Sequence, residues 1–139
     1  MDRIRALSVR APWAGRIASG VKDLEIRSRR THYRGRLAIC QSGGGGVVAL
    51  VDLVDCRRFV AEDSARSGGV WTKFPVTHTH YAWELRLDER VSSEKIKGQL
   101  GLYWIDAGKI RPYDAGEHHT ARADDLLHVR RAARGEMFA

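Results

Sequence analysis

The sequence predicts an α+β domain, a small mixed sheet curled or closed into a barrel with short helices on its flanks. Three observations predict it. Six segments read as strands, against two short helical ones among them and one more near the C-terminal end. Helices so few cannot cover both faces of a parallel sheet, so the sheet must curl to bury its own apolar side. The run Val47 to Val54 is almost continuously apolar, the pattern of a central strand covered on both faces. At 139 residues and 43% hydrophobic content, the chain is one domain, able to bury a core without disulfide or metal staples.

Arg3 to Val9 reads as the first strand, through Ile4, Leu7 and Val9. Pro12 suits the first position of a two-turn helix whose Trp13, Ile17 and Ala18 share a face, and Gly20 stops it. In the next strand Leu24 and Ile26 face one way, Glu25 and Arg27 the other. Arg34-Gly35 turns into a buried strand, Arg36 to Cys40. Gly43 to Gly46 reads as a flexible link into the central strand; with no Lys-Ser/Thr and no helix after it, it is not a phosphate loop. Phe59 to Ser67 suits a short helix, ended by Ser67-Gly68-Gly69. Tyr81, Trp83, Leu85 and Leu87 alternate with Ala82, Glu84, Arg86 and Asp88, as in a half-buried strand. Gln99 to Ile105 reads as the last strand, and Thr120 to Arg134 as a terminal helix with Leu126, Leu127 and Val129 inward. The division is a domain over residues 1–106 and an extension over 107–139.

Net charge is +7, and residues 1–36 carry all of it: ten Lys/Arg stand against three acids, and nine of the ten are Arg. Such a patch attracts phosphate backbones by counterion release, and the planar fork of Arg suits phosphates and base edges. An acidic protein would be drawn to it as well. No apolar run approaches the ~20 residues that span a bilayer, and Met1-Asp2-Arg3-Ile4-Arg5 lacks the apolar core of a secretory signal. Cys40 and Cys56 lie in apolar strand-like runs and read as reduced core thiols. A soluble, cytoplasmic protein is expected, with no cofactor. No metal site is expected either: His78-Thr79-His80 puts two rings on one strand face, but no Cys or acid stands near to complete the set. His118-His119 falls in a polar linker.

The chemistry-bearing stretch is Gly20-Val21-Lys22-Asp23-Leu24-Glu25-Ile26-Arg27, with Ala11-Pro12-Trp13 just before it. A carboxylate flanked by two cations can anchor a polar base or assist proton transfer. It can equally be a salt-bridged strand. Strict alternation sets Lys22 opposite Glu25, so the three converge only if a turn or bulge occupies residues 21–23.

Taken together, the motifs resemble the ASCH domain family of the PUA-like superfamily. The resemblance begins at Leu7-Ser8-Val9-Arg10-Ala11-Pro12-Trp13-Ala14 and continues through Gly20-x-Lys22-x-x-Glu25-x-Arg27, which looks like the family's G-x-K-x-x-E-x-R signature. Tyr33-Arg34-Gly35-Arg36-Leu37, Val51 to Cys56, Tyr81 to Leu85 and Gly98-x-x-Gly101-Leu102-Tyr103-Trp104 follow in order, so it spans residues 4–106. The nearest type is that of activating signal cointegrator 1. The resemblance implies a small PUA-like β-barrel with a cleft lined by the signature residues, holding RNA or DNA. Some members are instead hydrolases, either ribonucleases or amidohydrolases acting on a modified nucleoside. The amidohydrolases place a nucleophilic Thr where Glu25 stands, and a carboxylate cannot perform that acyl transfer. Gly43 to Gly46 replaces a helical insertion common in the family, which leaves one side of the cleft open for a polymer.

In such a cleft Glu25 can accept from an exocyclic amine, Arg27 can fork to a phosphate or a guanine edge, and Lys22 can act as a point charge on the backbone. Trp13 or Tyr33 can stack on the base; alternatively Trp13 wedges the short helix onto the barrel. Arg10, Arg16, Arg29, Arg30, Arg34 and Arg36 would track phosphates. His80 and Tyr81 would line the cleft mouth if the preceding loop folds over it. The expected function is nucleic-acid binding, of RNA or DNA as a single strand or an unstacked nucleotide. The alternative is a hydrolase, with Lys22 stabilising the transition state and Glu25 as general base. A third class, a protein-interaction module, would show a large exposed apolar patch.

Overall fold

The computed structural model describes residues 2–68 and 80–115. They form strands β1 (Arg3–Val9), β2 (Leu24–Arg27), β3 (Gly35–Gln41), β4 (Val47–Arg58), β5 (Tyr81–Ser92), β6 (Leu102–Asp106) and β7 (Arg111–Pro112), with helix α1 (Trp13–Ala18) after β1. The sheet order is β2-β5-β4-β3-β1-β6, and β7 pairs with the end of β5. β1 and β3 are parallel, and the other pairs are antiparallel. The result is the mixed, strongly curled half-barrel with few short helices that the strand pattern predicts.

Why β3 and β4 read as unbroken apolar runs is visible in the packing. Leu37, Ile39, Ala49, Val51 and Leu53 join Leu7, Trp83 and Leu85 in a core under Ile17 of α1. The alternate residues Ala38, Cys40 and Leu50 join Ile4, Val91, Ile96 and Tyr103 in a second core on the opposite face. With side chains alternating every residue, a strand between two cores has no solvent side left to mark with polar residues.

β2 and β6 end the sheet. The curl brings β2 back toward β1, and the Arg27 guanidinium donates from Nη2 to the Ser8 carbonyl at 2.8 Å. A side chain, and not a backbone ladder, spans the seam there. Pairing of β1 with β6 stops at Leu7–Leu102. A gap therefore opens beyond it, between the end of β1, β2 and the loop that leads into β6.

Several local expectations are corrected. α1 starts at Trp13, after the cis peptide bond between Ala11 and Pro12, and not at Pro12. Phe59 to Ser67 is not a helix: β4 runs on to Arg58, followed by a 3-10 turn at Ala61–Asp63. Asp63 sets that turn, its carboxylate taking the Val60 N–H at 2.9 Å and the Arg57 fork at 2.6 and 2.7 Å. That fork holds the Asp63 carboxyl below the usual range. Gln99 and Leu100 are not strand either, because Gly101 has φ +67°, a left-handed conformation that interrupts an extended run. The expected helix Thr120 to Arg134, with His118, His119, His78 and Thr79, lies outside the described residues. Of the extension, Ala107–Lys109 forms a 3-10 turn and β7 follows it. Cys40 and Cys56 are free thiols, one buried and one half-buried, and burial pushes the Cys40 thiol up. No helix among the described residues is long and apolar enough to cross a membrane.

The glycine run is a built turn and not a loose link. Gln41 N–H donates to the Gly46 carbonyl at 3.0 Å, and Ile96 N–H to that of Gly45 at 3.3 Å. A Cβ at Gly46 would collide with the Ser93 carbonyl and lie 2.7 Å from that of Glu94. Gly46→Ala is therefore expected to displace backbone and lower stability by roughly 1–3 kcal/mol. Urea denaturation reads this directly; an unchanged midpoint would mean that the 93–94 segment yields freely.

Candidate functional site

The gap beside β1 is a cleft of about 970 Å³. Its walls are Ser8 to Arg10, Trp13, Glu25 to Ser28, Ser42-Gly43, His80 and the loop Gly98 to Gly101. Among the described lining residues Glu25 is the sole carboxylate, and Arg10 and Arg27 supply fixed positive charge.

The carboxylate divides its oxygens between two cations. Oε1 lies 3.2 Å from Lys22 Nζ, while Oε2 accepts from Arg27 Nε at 3.0 Å and Nη2 at 2.8 Å. Alternation in β2 puts Glu25 and Arg27 on one face. Lys22 joins them because residues 21–23 are an irregular turn, as convergence required. Val21 and Lys22 N–H donate to the Arg16 carbonyl, and Asp23 and Leu24 N–H to that of Arg66.

Lys22 does not reach the cleft surface. It is 2% exposed, and its ammonium also donates to the carbonyls of Leu24 at 2.5 Å and Ser67 at 2.6 Å. Burial holds its pKa below the ordinary lysine value, with Glu25 opposing that shift. The structure thus places Lys22 behind the carboxylate, where it fixes Glu25. A contact of its ammonium with a phosphate, or with a transition state, is not available in this arrangement.

The remaining predicted residues separate into two groups. Trp13 is half-buried; it packs on the first core and also lines the cleft, so the two readings of it are compatible. Arg10 lies on the cleft wall, and Arg29 and Arg30 are exposed just beyond Ser28. Trp83 Nε1 donates to the Arg29 carbonyl at 3.0 Å, and the Arg30 guanidinium lies 5.4 Å from the Tyr81 ring centre. His80 lines the cleft, and Tyr81 does not. The others lie elsewhere. Arg16 is fully buried, its guanidinium stacked over Trp13 at 4.9 Å. Tyr33 packs on the first core and donates its hydroxyl to the Arg36 carbonyl. Arg34 faces Asp55 at 3.8 Å, and Arg36 pairs with Asp88 at 3.1 Å. Those carboxylates, from β4 and β5, offset part of the basic patch from far away in sequence.

Sequence reasoning missed Ser8, Ser28, Ser42 and Gln99 on the walls, and Trp83 as the anchor of the Arg29 segment. The spacing Gly98-x-x-Gly101 was the available sign of a loop there. Ser67 acts through its carbonyl, which leaves no mark in the sequence. Ser8 Oγ and the Tyr103 hydroxyl are 2.6 Å apart. Burial pushes the Tyr103 pKa up to about 12, so this phenol stays protonated and braces the wall by hydrogen bonding.

A family model for the ASCH domain matches residues 7–91, more than half of the chain. The chain belongs to the ASCH domain family. The matched residues include the whole Gly20-x-Lys22-x-x-Glu25-x-Arg27 signature. The crystal structure of ASCH from Zymomonas mobilis is similar, with TM-score 0.58 and 16% identity, over 76% of this chain and 89% of that one. A tyrosine-to-phenylalanine mutant of the Zymomonas mobilis protein gives TM-score 0.57 and 18% identity, over 76% and 91%. A serine-to-alanine mutant of it gives 0.55 and 19%, over 76% and 89%. No curated protein matches the chain by sequence. At such identities the likeness carries the ASCH fold, a small PUA-like α+β domain. Within this ASCH domain the signature divides its labour: Glu25 and Arg27 face the cleft, and Lys22 holds them from behind.

Proposed function

We propose that this ASCH domain binds nucleic acid, RNA or DNA, and holds one unstacked nucleotide in its cleft. What carries the reading is Glu25, fixed between two cations on the wall of a cleft of about 970 Å³. Ligand clefts run to roughly 300–1,000 Å³, so this one takes a base with its sugar and leaves an open mouth for the rest of a polymer. A carboxylate already oriented by Lys22 and Arg27 is a ready acceptor for an exocyclic amine. Arg27 keeps Nη1 for a phosphate or a guanine edge, and Trp13 offers a face for stacking. Arg10, Arg29 and Arg30 form the backbone path. Within the family this reading follows the activating signal cointegrator 1 type more closely than the amidohydrolases, since Glu25 stands where those carry Thr.

Fluorescence anisotropy of labelled RNA and DNA, single-stranded and duplex, at two salt concentrations tests it, each sample then run on a denaturing gel. The expected result is salt-sensitive binding of intact oligonucleotide. Shortened oligonucleotide, lost on Glu25 substitution, would establish a ribonuclease instead. Absence of binding to all four would overturn the proposal and turn attention to modified nucleosides. Replacing Arg29 and Arg30 together by Ala is expected to reduce the slope of log affinity against log salt by about 1–2. An unchanged slope takes them off the backbone path.

A further inference from the structure

The loop ahead of β6 carries an apolar side chain that stands clear of the described residues. Leu100 is 100% exposed. Other exposed apolar side chains of the described surface are at least partly covered: Val21 is 52% exposed, and Trp104, at 47%, lies under the guanidinium of Arg5 at 4.3 Å. An isobutyl group left wholly in water forgoes the stabilisation that burial gives, and on a wall of the cleft a ligand would restore it. The loop is built to present it. Gly98 rests against Ser8, where a Cβ would come within 2.8 Å of Oγ, and Gly101 at φ +67° turns the chain back into β6. The base of the loop thus lies close against β1 while its tip projects. Gln99, next to Leu100, is exposed on the same wall and carries both donors and an acceptor.

We infer that Leu100 is a wedge: it enters the base stack of a helical nucleic acid beside an unpaired nucleotide, which occupies the cleft. Gln99 then hydrogen-bonds the groove edge of a base pair flanking the extruded nucleotide. Apolar side chains inserted at a base step unstack and kink a duplex, and extrusion is easiest where a base is mismatched or unpaired. The inference rests on the nucleic-acid reading above and narrows its ligand to a paired helix containing an unstacked base, as opposed to an extended single strand. Arg10 on one side of the cleft and Arg29-Arg30 on the other would meet the flanking phosphates.

The test uses three probes in both RNA and DNA: a fully paired hairpin, the same hairpin with one bulged nucleotide, and a single strand. A 2-aminopurine next to the bulge reports unstacking by its fluorescence. The wild-type chain is expected to prefer the bulged hairpin and to raise that fluorescence. Leu100→Ala, at a wholly exposed site, should keep the unfolding temperature. It should abolish the fluorescence rise and lose about tenfold in bulged-hairpin affinity, while single-strand affinity stays within about twofold. Leu100→Phe should retain both signals. An alanine variant equal to wild type on the bulged hairpin overturns the wedge and leaves the cleft reading standing, as does a wild type that binds only single strands. A wild type that binds none of the probes overturns both.

Discussion

Glu25→Ala is expected to lower the stability of the domain by about 3–5 kcal/mol, the cost of removing one partner from a buried ion pair. The loss falls on Lys22, which would keep the Leu24 and Ser67 carbonyls and lose its one counter-charge within 4 Å among the described residues. Burial already sets its folded-state pKa below the ordinary value, and Glu25 is the leading influence in the other direction. Without Glu25 it falls further. Between a depressed folded pKa and the unfolded one, the unfolded chain binds more protons, so stability rises with pH across that window. The deficit of the variant is therefore full below the variant's own folded-state value and shrinks as pH climbs from there to the wild-type folded-state value, which itself lies below the unfolded lysine value of about 10.4. Urea denaturation from about pH 6 to about pH 10 reads it; a deficit constant over that range removes Lys22 as its origin. Glu25→Gln keeps the shape of the site and a hydrogen-bond acceptor. It should hold affinity for the nucleic-acid backbone and change base preference, whereas a nuclease would keep binding and lose turnover.

Trp83→Ala should cost a comparable amount, about 3–5 kcal/mol, because Trp83 is 4% exposed in the first core and its removal leaves a large cavity. The informative partner is Trp83→Phe. It keeps most of the ring volume and deletes the donor to the Arg29 carbonyl, at about 0.5–1.5 kcal/mol. That modest change should still weaken nucleic-acid binding, since the anchor of the Arg29-Arg30 segment is gone. Denaturation and anisotropy on the same two variants separate the effects. If the Phe variant binds as wild type does, Trp83 serves the core alone.

Much of this could be read from the chain because the signals were local. The two-residue alternation of Leu24-Glu25-Ile26-Arg27 fixed which side chains shared a face, and Gly20 with the irregular turn after it allowed Lys22 to join them. Burial was not local. Lys22 and Arg16 looked like surface cations because part of what covers them comes from the 61–68 segment, which nothing near them in sequence announces; Trp13, close by in the chain, covers Arg16 as well. The basic patch was overstated for the same reason: Asp55 and Asp88 neutralise Arg34 and Arg36 across strands. Gln99 and Leu100 were assigned to a strand from their neighbours' β-character, yet the left-handed turn at Gly101 decided the matter.

The seam between β1 and β2 has a thermodynamic consequence. Among the described residues β2 is an edge strand laddered to β5, and the Arg27 side chain ties it across to Ser8. It is therefore an edge of the sheet with backbone pairing on one side, where local opening and amide exchange with solvent should be easier than in the central strands. A ligand spanning the cleft bridges β1 to β2 and completes the circle that the polypeptide leaves open. Occupancy and the integrity of the barrel are then linked by mass action, so whatever fills the cleft also raises the unfolding temperature of the domain.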